Sequence, residues 1–193
     1  IAALKRNKKI TFIARNTMRI GDRYCFLFGT GLTTNILDAV YEGGSKDLPK
    51  VVRVIIKAFS DGIINPDGSA LYKRFRARVC FNDVEIPCDD LLGILAGTVE
   101  NIGMGFRPLS LDQTGNKTFH VIATGVRPME LARKILVLKK GKSFEHPLHY
   151  DSHVQEMLIE AQEPFVYTMD GDLYSSTGIL KVETGPRVNF IVI

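Results

Sequence analysis

The chain has 193 residues, with 25 Lys and Arg against 21 Asp and Glu, a formal net charge of +4, and 45% hydrophobic residues. That mix excludes a disordered or fibrous chain, and the length suits one generous domain or two small ones, with roughly 70% of the unfolded surface buried in a single core. No run nears the roughly 20 consecutive apolar residues of a bilayer-spanning helix. Cys25, Cys80 and Cys88 are odd in number and lack metal-type spacing, which points to a reducing cytosol rather than a disulfide framework.

The opening segment Leu4-Lys5-Arg6-Asn7-Lys8-Lys9 is basic and, with Ile1 rather than Met in front, runs directly into strand-like sequence. The chain is therefore expected to be a piece cut from a longer one. β-Branched and aromatic residues over 10–15 and 24–28 predict two strands joined through a turn at Gly21-Asp22. After Gly29-Thr30-Gly31, Thr33 or Thr34 stands where it would cap a short helix reaching Tyr41, with Gly43-Gly44 as its stop. Asp47, Pro49 and the spacing of Val51, Val52, Ile55, Ile56 and Phe59 predict an amphipathic helix ending at Gly62. Asn65-Pro66-Asp67-Gly68 is turn chemistry.

Over 75–81 the alternation is clean: Phe75, Ala77, Val79 and Phe81 on one face of a strand, Arg74, Arg76 and Arg78 on the other. Asn82-Asp83 turns the chain into 84–87, and 91–99 reads as a further buried strand carrying Gly93 and Gly97. The glycine-rich stretch Asn101-Ile102-Gly103-Met104-Gly105-Phe106 precedes Pro108 and a polar segment. A strand is predicted over 119–123, and a helix over 128–140 with Lys139 and Lys140 at its negative end and Gly141 as its stop. Four short strands follow, over 154–161, 165–169, 179–183 and 188–193, with a turn at Gly185-Pro186. Strands dominate without a regular strand–helix alternation, so the fold class expected is mainly β with a few helices (α+β), a β-sandwich occupying 1–193 as one domain.

On their own chemistry the candidate sites are modest. The arginine ridge is first a solvated sheet face; its alternative is a surface that meets phosphate of a nucleotide or an anionic lipid, and nucleic acid is disfavoured by the small net charge. Gly103 and Gly105 allow backbone to approach a ligand, although the spacing is not a dinucleotide fingerprint. Three of the four histidines, His146, His149 and His153, lie close together, and the absence of a carboxylate-backed i,i+4 pattern favours a polar loop over a metal site, so no metal ligands are assigned. Asp170-Gly171-Asp172 follows an apolar strand. The pair would hold a cation or accept a hydroxyl proton, or else be a plain hairpin turn, Asp-Gly being a favoured hairpin dipeptide.

The order of these pieces resembles the diacylglycerol kinase and sphingosine kinase family. The resemblance runs from about residue 11 to 193. It is carried by Tyr24-Cys25-Phe26-Leu27-Phe28-Gly29-Thr30-Gly31-Leu32, by Asn101-Ile102-Gly103-Met104-Gly105-Phe106-Arg107-Pro108, by the helix over 128–140 with His146 behind it, and by Asp170-Gly171-Asp172 followed by Gly185-Pro186-Arg187-Val188-Asn189-Phe190. The family's Gly-Gly-Asp-Gly motif of the nucleotide-binding half is absent.

The resemblance implies the C-terminal β-sandwich domain, on the lipid-acceptor side of a cleft, with the ATP γ-phosphoryl transferred to a lipid hydroxyl. Asp170 would then be the catalytic base or an ATP-side contact, and Asp172, Gly103 and Gly105 would contribute to the nucleotide side. Asp172 stands where the family has Glu, one methylene shorter, and Thr114 replaces an acid that holds a structural magnesium in some members. MgATP is implied for the full-length enzyme and none for this piece alone, which is expected to be inactive. The implied partners are the missing N-terminal nucleotide-binding domain, a lipid substrate and a peripheral membrane surface, with no nucleic acid; a homodimer of this piece would be an artefact of apolar strand edges bared by removal of the partner domain, and the location expected is cytoplasmic. The competing reading is a non-catalytic β-sandwich module whose kinase site has degenerated, binding lipid or a partner.

Overall fold

The computed structural model describes residues 11–41, 60, 70–102, 106–111 and 117–192. The chain opens with β1 (Thr11–Arg15), β2 (Met18–Ile20), β3 (Arg23–Cys25) and β4 (Leu27–Gly31), followed by α1 (Leu32–Tyr41) and a 3-10 turn (Ala70–Tyr72). Then come β5 (Phe75–Phe81), β6 (Val84–Glu85), β7 (Asp90–Leu91), β8 (Gly93–Gly97), β9 (Phe119–Thr124) and α2 (Pro128–Lys139). The remaining strands are β10 (His149–Val154), β11 (Glu156–Ala161), β12 (Phe165–Met169), β13 (Asp172–Ser176), β14 (Ile179–Thr184) and β15 (Val188–Val192).

Pairing between these strands is antiparallel. One sheet has the order β10-β9-β8-β4-β12-β13, a second β3-β2-β14-β11-β5-β6 with β7 also on β5, and β1 and β15 form a separate ribbon. The two sheets face each other over a shared core. Phe28, Ile94, Phe119, Val121 and Met169 come from the first sheet, and Met18, Val79, Met157, Ile159 and Val182 from the second. Each such side chain contributes roughly 1.5–3 kcal/mol on burial. The other face of the first sheet carries a second apolar cluster in which Leu92 and Ile122 pack with Leu71, Leu131 and Leu138, from the 3-10 turn and α2. β9 lies between both clusters, which is why all six of its residues are buried. The architecture is mainly β, as the sequence pattern implied. Among the described residues no helix is long and apolar enough to cross a membrane.

Several local expectations are met closely. β5 spans 75–81, β9 and α2 begin where predicted, and Asn82 and Asp83 adopt φ of 47° and 65° in the turn between β5 and β6. The strand expected over 24–28 is instead two: the chain bends at Phe26, leaving β3 in one sheet and β4 in the other. Residues 91–99 divide in the same way at Leu92, β7 pairing β5 and β8 pairing β4.

The Leu92 crossing lies against the far end of β4 from Phe26. Leu32 N–H donates to Leu92 O at 2.8 Å, and a Cβ on Gly31, whose φ is +66°, would lie 2.5 Å from that carbonyl oxygen. Only glycine suits both the dihedral and the approach.

The Gly21-Asp22 turn joins β2 to β3, while β1 pairs β15 at the far end of the chain. Thr34 does not cap α1: its hydroxyl donates back to Gly31 O at 2.8 Å. Apart from Ser60, which is helical, the predicted helix from Asp47 lies outside the described residues, as do the Gly43-Gly44 stop, the 65–68 turn and the basic 4–9 segment.

Candidate active site

β12 and β13 pair from Phe165↔Ser176 to Met169↔Asp172, so Asp170-Gly171 is a two-residue hairpin loop. Both residues have positive φ, 51° and 98°, the requirement of a type I′ turn and the reason Asp-Gly suits it. The hairpin reading of this pair is the one the structure shows. Asp170 is exposed, and its side chain reaches across to the bend at Phe26. Oδ1 accepts hydrogen bonds from Phe26 N–H (2.9 Å) and Leu27 N–H (2.8 Å), Oδ2 lies 3.3 Å from Phe26 N, and Asp170 N–H donates to Leu27 O at 2.9 Å.

A strand that leaves one sheet for another loses its ladder partners at the crossing. The Asp170 carboxylate supplies the missing acceptor. Its negative charge, after burial as the larger cause, pushes the neighbouring Cys25 thiol up to about 12. Tyr41, the last residue of α1, donates its hydroxyl to Gly171 O at 2.6 Å, so the helix end is latched onto the same turn.

Asp172 opens β13 and is exposed, without an ion pair among the described residues. Tyr174 on the same strand stacks with Tyr167 at 5.6 Å, and the Arg23 guanidinium lies 4.8 Å above the Tyr174 ring. Phe26 packs against Phe190 of the ribbon at 5.5 Å. Gly103 and Gly105 lie outside the described residues, as do Asp112 and Thr114. The residues flanking the glycine loop are bridged, Ile102 N–H donating to Phe106 O at 3.0 Å.

The other candidates resolve differently. Arg74 is tied to Asp90 (2.8 Å) and to the carbonyls of Asp90 and Gly125, and Arg78 to Glu85 and Glu160 at 2.7 and 2.6 Å. The cationic ridge is thus largely spent on internal partners. His149 and His153 stand on strand β10, not in a polar loop. His149, Asp151 and His153 alternate along one face of β10, opposite Thr124, Ile122 and His120 of β9.

Ser110 N–H donates to His120 Nδ1 at 3.1 Å, so His120 Nε2 carries the proton that meets Asp151 Oδ1 at 2.5 Å; Ser110 Oγ bonds His153 Nε2 at 2.9 Å. Burial alone would raise the Asp151 carboxyl, but the hydrogen bonds from His120 and Ser143 outweigh it and hold it below the usual range. His149 has neither ring nitrogen hydrogen-bonded, stacks on Phe144 at 4.0 Å, and is pushed down in pKa by burial. The signal for this cluster is the period-two run His149-x-Asp151-x-His153. Among the described residues no group of three His, Cys, Asp or Glu has metal-holding geometry.

Two concavities, of about 520 and 480 Å³, lie elsewhere. One is formed by residues between Ser143 and Asp151, the other by residues around Arg19, Asn82 and Glu183, and Asp170 lines neither. It stands instead on an open edge, at the meeting of α1, the two sheets and the β1–β15 ribbon.

No family model and no curated protein sequence matches the chain. Solved structures do. The fold is that of diacylglycerol-kinase-like structures. A provisionally assigned diacylglycerol kinase from Bacillus anthracis str. Sterne superposes with a TM-score of 0.60 at 12% identity, over 90% of this chain and 54% of that one. A second such structure from the same organism gives 0.58 at 11% identity, over 90% and 55%. A third, a diacylglycerol kinase, gives 0.52 at 11%, over 90% and 51%. At these identities the likeness is one of fold, and the chain spans about half the length of each of these structures.

Proposed function

We propose that this chain is the acceptor-side, C-terminal half of a lipid kinase that transfers the γ-phosphoryl group of MgATP to a lipid hydroxyl. The observation that carries the reading is the fold match: nine-tenths of the chain superposes on about half of kinase-like structures. The geometry at Asp170 supports it. The carboxylate is exposed and clasped chiefly through Oδ1, and Oδ2, with one longer bond from Phe26 N–H at 3.3 Å, keeps lone-pair capacity for a hydroxyl proton. In the proposed step Oδ2 takes that proton as the lipid oxygen attacks the γ-phosphorus, and ADP departs with the bridging oxygen's electron pair. Such transfer rests on positioning and charge stabilisation more than on one nucleophile. A base on an open edge fits a cleft completed by another domain, which would grip most of the nucleotide. Asp172, Gly103 and Gly105 stay the nucleotide-side residues that the family resemblance implies.

The apolar ribbon beside the site points the same way. Phe12 and Ile191 are 65% and 62% exposed, and Phe190 of the ribbon packs on Phe26, the residue whose N–H Asp170 holds. An exposed apolar patch next to a polar site suits a docked second domain. The proposed full enzyme works at a membrane surface from the cytoplasm.

The test is phosphate transfer from γ-labelled ATP to vesicles containing diacylglycerol, sphingosine or other lipid alcohols. The polypeptide extended by its nucleotide-binding half is expected to label one lipid, and residues 1–193 alone to label none. Transfer by residues 1–193 alone refutes this division of labour. Failure of the extended protein on every lipid alcohol, with vesicle binding intact, assigns the chain to the non-catalytic reading instead.

A further inference from the structure

The proposed chemistry brings a highly charged phosphate to the edge that carries Asp170 and Asp172, and two carboxylates repel it. A cation beside that edge would offset this repulsion together with the nucleotide's magnesium, and the structure offers one. Arg23 leads the strand β3 that ends at Cys25, immediately before the Phe26 and Leu27 N–H groups held by Asp170. It is exposed, and its guanidinium is pinned over the Tyr174 ring at 4.8 Å, on the strand that Asp172 opens. This contact bridges the two sheets, since β3 belongs to one and β13 to the other.

Three other arginines are committed elsewhere. Arg19 pairs with Glu183, Arg74 with Asp90, and Arg78 with Glu85 and Glu160. Among the described residues the Arg23 side chain makes no ion pair and no hydrogen bond. The contact with the Tyr174 ring restrains the guanidinium while leaving the five N–H donors of the fork unspent. A planar fork held in place matches two phosphoryl oxygens at once, and little side-chain freedom is lost when they bind.

We propose that Arg23 is the phosphate contact of this site, with its fork taking the oxygens of a phosphate monoester or polyphosphate and its contact with the Tyr174 ring restraining the guanidinium. The inference rests on the kinase reading for the source of that phosphate. Either the polyphosphate of the nucleotide or the phosphate of the lipid product has the required chemistry.

The test titrates the 193-residue chain with tripolyphosphate and, separately, with phosphatidylcholine vesicles doped with phosphatidic acid, following the Arg23 Nε–H resonance. Wild-type protein is expected to bind at least one of the two and shift that resonance. Arg23→Gln should weaken binding about tenfold, the loss of a charge-assisted bidentate contact. Arg23→Lys should recover part of it as a point charge, and Arg76→Gln, an exposed cation on β5, should stay within about twofold. Melting curves of the variants confirm that each is folded.

Loss confined to tripolyphosphate assigns the nucleotide; loss confined to phosphatidate vesicles assigns the lipid phosphate. Wild type that binds neither probe, or binding that Arg23→Gln leaves unchanged, overturns the inference. Intact Arg23-dependent phosphate binding in an extended protein that phosphorylates no lipid alcohol leaves the site standing and removes the kinase reading.

Discussion

Replacing Asp170 by Ala removes two hydrogen bonds and a conformational preference together. Phe26 N–H and Leu27 N–H, at 2.9 and 2.8 Å from Oδ1, lose a charged acceptor at the point where the chain changes sheets. Bonds to charged groups are worth about 1.5–3 kcal/mol when buried; on an exposed turn about 1 kcal/mol each is the fitting figure. The φ of 51° at this position adds to the loss, because Ala tolerates left-handed backbone less well than Asp by roughly 1 kcal/mol. The sum is about 2–3 kcal/mol, which in a chain of this size lowers Tm by about 5–10 °C. Asp170→Asn keeps an acceptor and a residue that accepts positive φ, so its loss should stay near 1 kcal/mol. Circular dichroism melts of the three proteins, with urea midpoints as a second measure, read the difference directly. A neutral residue at 170 should also bring the Cys25 thiol down from about 12, seen as thiolate absorbance appearing at lower pH. An Asp170→Ala variant melting within about 1 °C of wild type would refute the clasp, since this perturbation leaves two N–H donors without their carboxylate acceptor.

Other outcomes follow from single sites. His149 is buried with both ring nitrogens unpartnered and its pKa lowered, so it binds its proton less readily folded than unfolded. That stability is complete above about pH 6.5 and falls as pH drops below it; His149→Phe should flatten the fall in urea midpoint between pH 7 and 5. Gly31→Ala places a Cβ 2.5 Å from Leu92 O at φ +66° and should cost more than about 3 kcal/mol, read as lost soluble protein or a collapsed urea midpoint. Arg74→Met leaves Asp90 and two carbonyls without their donor and should destabilise by about 2 kcal/mol, whereas Arg76→Met should stay within about 0.5 kcal/mol in the same denaturation assay.

What could be read from the chain follows the range of the forces involved. β5 was legible because its alternation is decided residue by residue, and α2 because its Pro start, spaced apolar residues and Gly141 stop all lie within fourteen positions of one another. The turns at Gly21-Asp22, Asn82-Asp83 and Asp170-Gly171 were legible for the same reason. The bends at Phe26 and Leu92 were not. In each, a run continuous in sequence is divided between two sheets by contacts with distant strands, and the acceptor that stabilises the first bend lies 144 residues away. β10 was missed because the face it turns toward the second apolar layer carries His149, Asp151 and His153, which read as loop chemistry until paired with β9. The arginine ridge looked like one surface in sequence; packing separates it, with Arg74 and Arg78 in ion pairs and Arg76 exposed.

The Asp170 carboxylate is proposed to remove a proton as well as to hold Phe26 and Leu27. The direct measurement is the turnover rate of lipid phosphorylation by the extended polypeptide, wild type against Asp170→Asn, each matched to its melting curve. The account predicts that Asp170→Asn lowers kcat at least about 100-fold, the size of a lost general base, while the fold persists, and that restoring the aspartate restores the rate. Turnover within about threefold of wild type in a folded Asp170→Asn protein would contradict it and leave Asp170 with the clasp alone.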